Sequence, residues 1–194
     1  MINILACDPG AANFGYAVIQ GRMVGKKISD RILVNGMCPC PIKQVKGSQE
    51  LRAKQIAFEK WYTGLLKKYK IDAVCAERFM ARGLLGALGE YIGIMIGIML
   101  TSAPHIQFKV FPAATWKNAV RRNVGDKEFL NRTYKIAKVT PHQLDACLIG
   151  VWTLFQGFKQ KDFGPFQLAK SINKFLDQVE AVSTEKLTNR KNKR

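Results

Sequence analysis

Apolar and polar positions along the first fifty residues predict three strands in succession. The apolar runs Ile2–Cys7 and Phe14–Gln20 flank a turn of small residues, which is typical of a hairpin, and Gly21 is predicted to close it. Lys27–Gly36 mixes apolar and polar residues and fits a third strand. The segment Met37–Gly47, which contains proline and glycine, is predicted to be a loop. The chain therefore opens with an antiparallel arrangement.

The rest of the pattern alternates helices with strands. A helix is predicted from Ser48, which fits as its cap, to about Tyr69, and a buried strand follows over Ile71–Ala76. The remaining predicted elements are a helix over Gly83–Ser102, a strand over His105–Phe111, and helices over Lys127–Lys138, Pro141–Phe155 and Phe158–Val182. This order predicts an α/β fold, in which the sheet begins antiparallel and continues through crossover helices.

Four glycines recur along the predicted helix Gly83–Ser102. Gly86, Gly89, Gly93 and Gly97 are three or four residues apart, so they are expected to share one face of the helix. Each glycine lowers helix propensity by up to ~1 kcal/mol, so a packing reason for them is expected. The face fits close packing against the sheet of the same chain or a dimer interface, and both alternatives stay open.

The chain of 194 residues carries 31 Lys and Arg against 14 Asp and Glu, which gives a net charge of +17. The length fits one domain rather than two, and 47% hydrophobic residues are enough to form a core. The charge favours a polyanionic partner, either nucleic acid or an anionic membrane surface. A membrane-spanning segment is not expected, because the uncharged stretch Tyr91–Ala103 has 13 residues, and about 20 are needed to cross a bilayer.

Five cysteines, an odd number in a chain without a recognisable secretory signal, predict reduced thiols and a cytoplasmic location, in a bacterium or in the host of a bacteriophage. Cys38 and Cys40 could form half of a zinc site, but no second Cys or His pair follows at a suitable spacing. Residues 1–157 are predicted to form the main domain, and residues 158–194 a C-terminal extension. The polar, basic residues 183–194 are predicted to be disordered.

Acidic residues are scarce in this chain, and two of them directly follow apolar strands. Asp8 comes after the first predicted strand and Glu77 after the fourth, and the carboxyl ends of strands are where α/β sheets bind ligands. His142 and Asp145 are three residues apart on a predicted helix, so their side chains share a face. Carboxylate oxygens with one imidazole suit Mg²⁺ or Mn²⁺. Two such ions can activate water against a phosphodiester and stabilise the leaving oxygen.

Segments in three blocks of the chain resemble the RuvC family of Holliday junction resolvases. Residues 4–10, Ile-Leu-Ala-Cys-Asp-Pro-Gly, and residues 13–19, Asn-Phe-Gly-Tyr-Ala-Val-Ile, resemble the opening strands of that family. Residues 76–82 resemble the block in which the catalytic Glu precedes an aromatic residue by two positions. Residues 141–146 resemble the last block, in which Asp or His precedes the final Asp by three positions. The three blocks occur in the family's order, and the resemblance covers about residues 2–155.

The resemblance implies a ribonuclease H-like fold, with a mixed five-stranded sheet that is antiparallel in its first three strands and flanked by helices. It also implies a homodimer that cuts two opposed strands of a four-way DNA junction, with two Mg²⁺ ions in each active site, leaving 5′-phosphate and 3′-hydroxyl ends. Phe79 would match the aromatic residue that wedges into the junction centre. The glycine-bearing helix corresponds to the family's dimer-forming helix. Carried over by position, the metal ligands would be Asp8, Glu77, His142 and Asp145.

Basic residues are concentrated between residues 117 and 138, where two acidic residues oppose them. Binding of phosphate groups is the plain interpretation of such a run. The resemblance adds that Lys117 and Lys127 lie where the family places cations near the scissile phosphate, so both are predicted to be catalytic. The predicted DNA-binding residues are Arg78, Phe79, Arg82, Lys117, Arg121, Arg122, Lys127, Arg132 and Lys135.

A crossover junction endodeoxyribonuclease is the function that the sequence favours, and three alternatives stay open. One is a nuclease that acts more broadly on branched DNA such as forks and flaps. Another is a catalytically silent nucleic-acid-binding module of the same fold, which would have little reason to keep Asp8, Glu77 and Asp145 together. The third is a sugar-kinase or actin-like ATPase, which would need two related halves and a second phosphate loop that this sequence lacks.

Overall fold

The computed structural model describes residues 1–10, 12–25, 27–42, 45–79, 86–135, 139–157 and 165–191, and within these it describes the backbone alone at 133–135, 165–167 and 182–191. The strands are β1 (Ile2–Asp8), β2 (Gly15–Val24), β3 (Lys27–Met37), β4 (Ala73–Arg78) and β5 (Gln107–Pro112). The helices are α1 (Ser48–Tyr69), α2 (Ala87–Thr101), α3 (Ala113–Val124), α4 (Asp126–Lys135), α5 (Pro141–Gly157) and α6 (Pro165–Lys191).

The five strands form one sheet in the order β3-β2-β1-β4-β5. β2 pairs antiparallel with both β1 and β3, whereas β4 lies parallel to β1 and β5 lies parallel to β4. Parallel neighbours require a crossover, and α1 precedes β4 just as α2 precedes β5. The predicted mixed sheet, with antiparallel first three strands and flanking helices, is therefore confirmed.

The β2–β3 hairpin is longer than the sequence pattern indicates. Gly21 lies inside the ladder, between Ile2 of β1 and Asp30 of β3, so the prediction that Gly21 closes the hairpin is wrong. The turn comes instead at Gly25, whose φ of +61° lies in the left-handed region that glycine adopts at low cost. Polar residues dominate the outer part of the hairpin, and for that reason the apolar pattern ends before the strands do.

Helix α3 is an element that the sequence pattern does not predict. Its buried side chains Trp116, Val120 and Val124 are four residues apart and form a narrow stripe among polar and basic residues, which obscures the helical period. Gly125, with a φ of +90°, separates α3 from α4. The predicted basic helix is confirmed as α4, which begins at Asp126.

Two helix ends differ from the predicted ones. Ser48 does not cap α1, because Gly47 occupies the N-cap position without a side-chain hydrogen bond. The carboxylate of Glu50 instead accepts a hydrogen bond of 2.9 Å from the Lys46 amide. Helix α6 continues to Lys191. The predicted disorder is therefore wrong for residues 183–191, and residues 192–194 lie outside the described part of the structure. Glu, Lys, Leu and Arg in this segment are good helix formers and favour helix despite the polar composition.

Helices cover both faces of the sheet. Leu5, Val18 and Val74 belong to the cluster on the face of α1 and α2, where Phe58 and Met95 are fully buried. The alternating strand residues face α3, α5 and α6 on the other side. α5 contacts β1, β2, β3 and β4, and it is buried along almost its whole length. The N-terminal turns of this central helix carry two of the predicted site residues.

The C-terminal extension contributes to the core. Ile172, Phe175, Leu176 and Val179 of α6 are buried in the same hydrophobic cluster as the sheet residues that face α5. The division of the chain at residue 157 stays a prediction. Within the described ranges, no helix has both the length and the apolar character needed to cross a membrane.

Candidate active site

Asp8 and Glu77 lie side by side at one edge of the sheet. β1 and β4 are parallel neighbours, and Cys7 of β1 is opposite Ala76 of β4. The residues that follow these two, Asp8 and Glu77, therefore leave the sheet at the same edge, as the sequence predicts. Asp8 is nearly buried, with 8% of its surface exposed.

The first turns of α5 place His142 and Asp145 at the same edge. Nδ1 of His142 lies 2.6 Å from Oδ2 of Asp8, so the helix and β1 are joined by a direct hydrogen bond. Gly15 at the start of β2 makes this possible, because a Cβ atom there would lie 2.1 Å from the backbone oxygen of His142. The backbone of α5 therefore approaches the sheet more closely than any other residue at position 15 would allow.

Lys117 of α3 lies between two of the carboxylates. Its Nζ is 2.9 Å from Oδ2 of Asp145 and 3.7 Å from Oε2 of Glu77. All four predicted metal ligands and one of the two predicted catalytic lysines thus meet at one place. The structure connects them as two sets of contacts, one between His142 and Asp8 and the other around Lys117.

Burial and mutual charge shape the titration of these groups. Burial raises the pKa of Glu77 and of Asp145, with the neighbouring charge of Asp8 acting in the same direction, while Lys117 opposes the increase in both. The hydrogen bond with Asp8 raises the pKa of His142. Burial acts to lower the pKa of Lys117, but the contacts with Asp145 and the other carboxylates outweigh it and raise the pKa. The site therefore crowds negative charge that cations must balance.

This donor set fits a divalent cation. Three carboxylates and one imidazole provide the oxygen-rich coordination that Mg²⁺ and Mn²⁺ prefer, and the repulsion among Asp8, Glu77 and Asp145 is of the kind that a cation relieves. Within the described part of the chain, no group of three His, Cys, Asp or Glu side chains is arranged so that it could hold a metal ion. Asp8 is in contact with His142, and Lys117 lies against the other two carboxylates, so the ligand assignment stays a prediction.

The remaining basic residues between positions 117 and 138 are dispersed. Lys127 is exposed on the first turn of α4 and, among the ion pairs of the described residues, has none with the site carboxylates. Arg121 lies over the ring of Phe129, 5.8 Å from its centroid. Arg122 Nε donates a hydrogen bond of 3.2 Å to the Asn118 carbonyl of its own helix. Their predicted contact with DNA stays a prediction.

Arg132 has partners within the protein. Its guanidinium donates a hydrogen bond of 3.2 Å to Asn173 and forms an ion pair with Asp177, both on α6. The side chain therefore ties α4 to α6. The side chain of Lys135 lies outside the described part of the structure, and so does Arg82.

Arg78 and Phe79 emerge from the end of β4, directly after Glu77. Both side chains are exposed, and Phe79 retains 37% of its surface. An exposed aromatic side chain beside the acidic cluster is suitably placed for the wedging role that the resemblance implies. That role stays a prediction.

The two cysteines of the Met37–Gly47 loop lie next to each other. The Sγ atoms of Cys38 and Cys40 are 3.9 Å apart, and Cys40 Sγ also contacts the Ala57 carbonyl at 3.4 Å. Burial raises the pKa of both thiols, which disfavours the thiolate form that binds zinc. In the part of the chain that the structure describes, no further His, Cys, Asp or Glu completes a metal site with them.

Sequence reasoning missed Trp116, which holds Glu77 in place. Its Nε1 donates a hydrogen bond of 2.9 Å to Oε2 of Glu77, and its fully buried ring lies 4.9 Å from Nζ of Lys117. A tryptophan next to a basic residue gives no signal in a single sequence, because the contact depends on how α3 packs against β4.

On the predicted assignment of Glu77 as a metal ligand of a nuclease, we expect Trp116→Phe to slow cleavage of nucleic acid by about tenfold or more, since outer partners of metal-binding carboxylates contribute about 10–100-fold. The phenyl ring keeps most of the packing but removes the N–H donor to Glu77. The measurement is the cleavage rate at saturating substrate, with circular dichroism to verify folding. Trp152→Phe is the matched control, because among the described residues its buried indole nitrogen has no hydrogen-bond partner. Equal rate losses in both variants would contradict the positioning role.

The sequence matches no protein-family model and no curated protein. Solved structures do resemble it. The chain is similar to Thermus thermophilus RuvC, with a TM-score of 0.59 and 15% identity over 81% of this chain and 96% of that one. It is also similar to the yeast mitochondrial Holliday junction resolvase Ydc2, with a TM-score of 0.56 and 13% identity over 91% of this chain and 84% of that one.

At such low identities, the likeness establishes the fold. The fold observed in this chain is a mixed five-stranded sheet flanked by helices. The chain therefore has the ribonuclease H-like fold of the RuvC-type Holliday junction resolvases.

Proposed function

We propose that this protein is a metal-dependent endonuclease that resolves four-way DNA junctions. The observation that carries the proposal is the meeting of Asp8, Glu77 and Asp145 beside Lys117 at one edge of the sheet. The fold adds support, because its neighbours include resolvases, one of which was solved as T. thermophilus RuvC in complex with a Holliday junction substrate. The products would be paired nicks with 5′-phosphate and 3′-hydroxyl ends.

Mg²⁺, or Mn²⁺ in its place, would be held by Asp8, Glu77, His142 and Asp145, with two ions in each active site. Bound divalent cations supply Lewis acidity and a water that deprotonates near neutral pH. The chain's own part is to hold the carboxylates close together despite their repulsion. His142 braces Asp8 through its hydrogen bond, and Trp116 braces Glu77.

Lys117 would act as a cation at the reacting phosphate. Its contacts with Asp145 and Glu77 keep the ammonium charged and directed into the site. A preorganised positive charge at this place stabilises the negative charge that develops on a phosphate under attack. Lys127, which is exposed on α4, would contribute by approaching bound DNA from the outside of the site.

A homodimer would account for paired nicks, because each protomer carries one acidic site. Gly86 at the N-cap of α2 and, within the helix, Gly93, Gly97 and the exposed Leu100 lie on one stripe. A Cβ atom built on any of these three glycines meets nothing within 4 Å. Of the two alternatives that the sequence leaves open, packing against the sheet of the same chain has no support at these three glycines; Gly89, in contrast, is buried. We assign the open stripe to contact with a second copy of this chain.

The test is to incubate the protein and Mg²⁺ with junction, fork, flap and linear duplex DNA of the same sequence. Symmetrical paired nicks in the junction and intact linear duplex are expected, because the basic surface and the exposed Phe79 suit a branched, partly unstacked substrate. Faster cleavage of forks or flaps would favour the broader debranching nuclease. Binding to all four substrates without any cleavage would favour the silent module.

The ATPase alternative has less support, since the described residues contain one five-stranded sheet rather than two related halves. The cytoplasmic location of the protein stays a prediction.

A further inference from the structure

A cavity of about 520 Å³ lies between the outer end of the β2–β3 hairpin and α6. It is far from the candidate active site, because Gly15 pairs with Asp8 at one end of the ladder and Gly21 pairs with Ile2 at the other. Residues 15 to 21 of an extended strand span about 20 Å. The strand residues of the cavity lie between Arg22 and Asp30, at or beyond that second end. The proposed nuclease mechanism uses none of them. We call this cavity the far-end pocket.

The far-end pocket is positively charged. Arg22 and Lys27 line it from the hairpin, and Lys170 and Lys174, one turn apart on α6, line it from the other wall. Asp30 is the carboxylate among the described lining residues. Among the described lining residues, four positively charged side chains and one negatively charged side chain give a formal net charge of +3. A concave site with this charge concentrates small anions.

The two walls of the pocket are joined before any ligand arrives. The hydroxyl of Ser171 on α6 donates a hydrogen bond to Oδ1 of Asp30 on β3, and both residues are buried. Burial raises the pKa of Asp30, while the Ser171 hydrogen bond and the charge of Lys174 oppose the increase. Because the hydrogen bond between Ser171 and Asp30 fixes α6 against β3, ordering the pocket would subtract little from the free energy of binding a ligand.

The lining is partly apolar. Val24, Ile28 and Phe155 share the cavity with the cationic side chains. A lone phosphate ion needs no apolar surface, and pockets of about 300–1,000 Å³ are typical of larger organic ligands. The lining therefore matches a ligand with an anionic group at one side and an apolar, ring-sized group at the other.

We propose that the far-end pocket binds a nucleoside phosphate, with the phosphate monoester against Arg22, Lys27, Lys170 and Lys174 and the nucleoside against Val24, Ile28 and Phe155. This chemistry is shared by a free mononucleotide and by the phosphorylated end of a nucleic acid strand. The proposal goes beyond the proposed junction cleavage and does not depend on it. The pocket has its own residues, and binding requires neither metal nor an intact acidic cluster.

The test is calorimetric titration of the full chain, without metal, with adenosine 5′-monophosphate and with adenosine. The monophosphate is expected to bind and adenosine is not. Lys27→Ala/Lys174→Ala, which removes one cation from each wall, should weaken binding about tenfold or more, since hydrogen bonds to charged groups contribute at least that much. The matched control is Lys60→Ala/Lys67→Ala, which removes two exposed lysines of α1 and should leave the affinity unchanged.

Competition by oligonucleotides identifies the source of the phosphate. Displacement of the monophosphate by a 5′-phosphorylated strand and not by its 5′-hydroxyl form assigns the pocket to a strand end, and displacement by neither assigns it to a free nucleotide. Three results would overturn the proposal: equal binding of adenosine, an equal loss of affinity in the α1 control, or equal displacement by both strands. Arg22→Ala, at an exposed hairpin position, provides the same readout if thermal melting shows that the double variant is unfolded.

Discussion

Replacing Asp8 with asparagine is expected to abolish cleavage of a four-way junction while leaving junction binding intact. The substitution removes the charge of the most deeply placed carboxylate of the cluster, although its amide oxygen can still accept the hydrogen bond from His142. Loss of a metal-binding carboxylate forfeits several kcal/mol of transition-state stabilisation, which corresponds to about 10³-fold in rate. The measurements are single-turnover cleavage with Mg²⁺ and junction binding by gel shift without it.

Asp72→Asn is the matched control for this change. Asp72 stands just before β4, at the opposite end of that strand from Glu77, and its carboxylate accepts a hydrogen bond of 2.7 Å from the Asn3 amide, which an asparagine can retain. Cleavage by this control should stay within about twofold of wild type, because surface substitutions rarely change stability by more than ~0.5 kcal/mol. Parallel loss of binding and cleavage in Asp8→Asn would assign Asp8 to folding or DNA binding instead.

Replacing Gly15 with alanine is expected to separate α5 from the sheet. The new Cβ would lie 2.1 Å and 2.3 Å from the backbone oxygen and carbon of His142, and backbone atoms cannot move aside as a flexible side chain can. Overpacking of this kind costs about 1–3 kcal/mol of folding free energy or more. The contact between His142 and Asp8 would lengthen, and misplacement by about 1 Å costs about 10²-fold in rate. Urea denaturation and junction cleavage measure the two effects.

Gly64→Ala provides the control for the glycine substitution itself. Gly64 lies in α1, where an added Cβ meets nothing within 4 Å, so alanine should stabilise the helix by up to ~1 kcal/mol. Its cleavage rate should match that of the wild type. If Gly15→Ala proved as stable and as active as Gly64→Ala, the close approach of α5 to β2 would have no bearing on the site.

The acidic half of the candidate site could be predicted from local sequence. Asp8 and Glu77 each end an apolar strand, and the carboxyl ends of parallel strands lie at the same edge of a sheet. The structure adds that β1 and β4 are neighbours. The spacing of His142 and Asp145 places both on one helix face without any tertiary information. Both predictions needed only the period of the backbone and the position of a charged residue within it.

The sequence could not show in the same way which basic residues lie in the site. Lys117 and Lys127 are equivalent on sequence grounds, yet Lys117 lies against Asp145 and Glu77, whereas Lys127 is exposed on α4. Arg132 belongs to the same basic run and is instead paired with Asp177, 45 residues later in the chain. A charged side chain carries no sequence signal for the partner that it meets, because that depends on how two distant helices cross.

The order of strands and helices apart from α3, the mixed character of the sheet, the positive charge of the chain and the placement of its few acids follow from the sequence alone, because each rests on local periodicity or on residue chemistry. Only the tertiary structure decided that α3 exists as a helix and that Trp116 and Lys117 approach Glu77. It also decided that α5 packs close to the edge of the sheet, where Gly15 has no side chain in the way. These contacts join elements that are far apart in the chain, and they depend on packing distances that residue patterns do not encode.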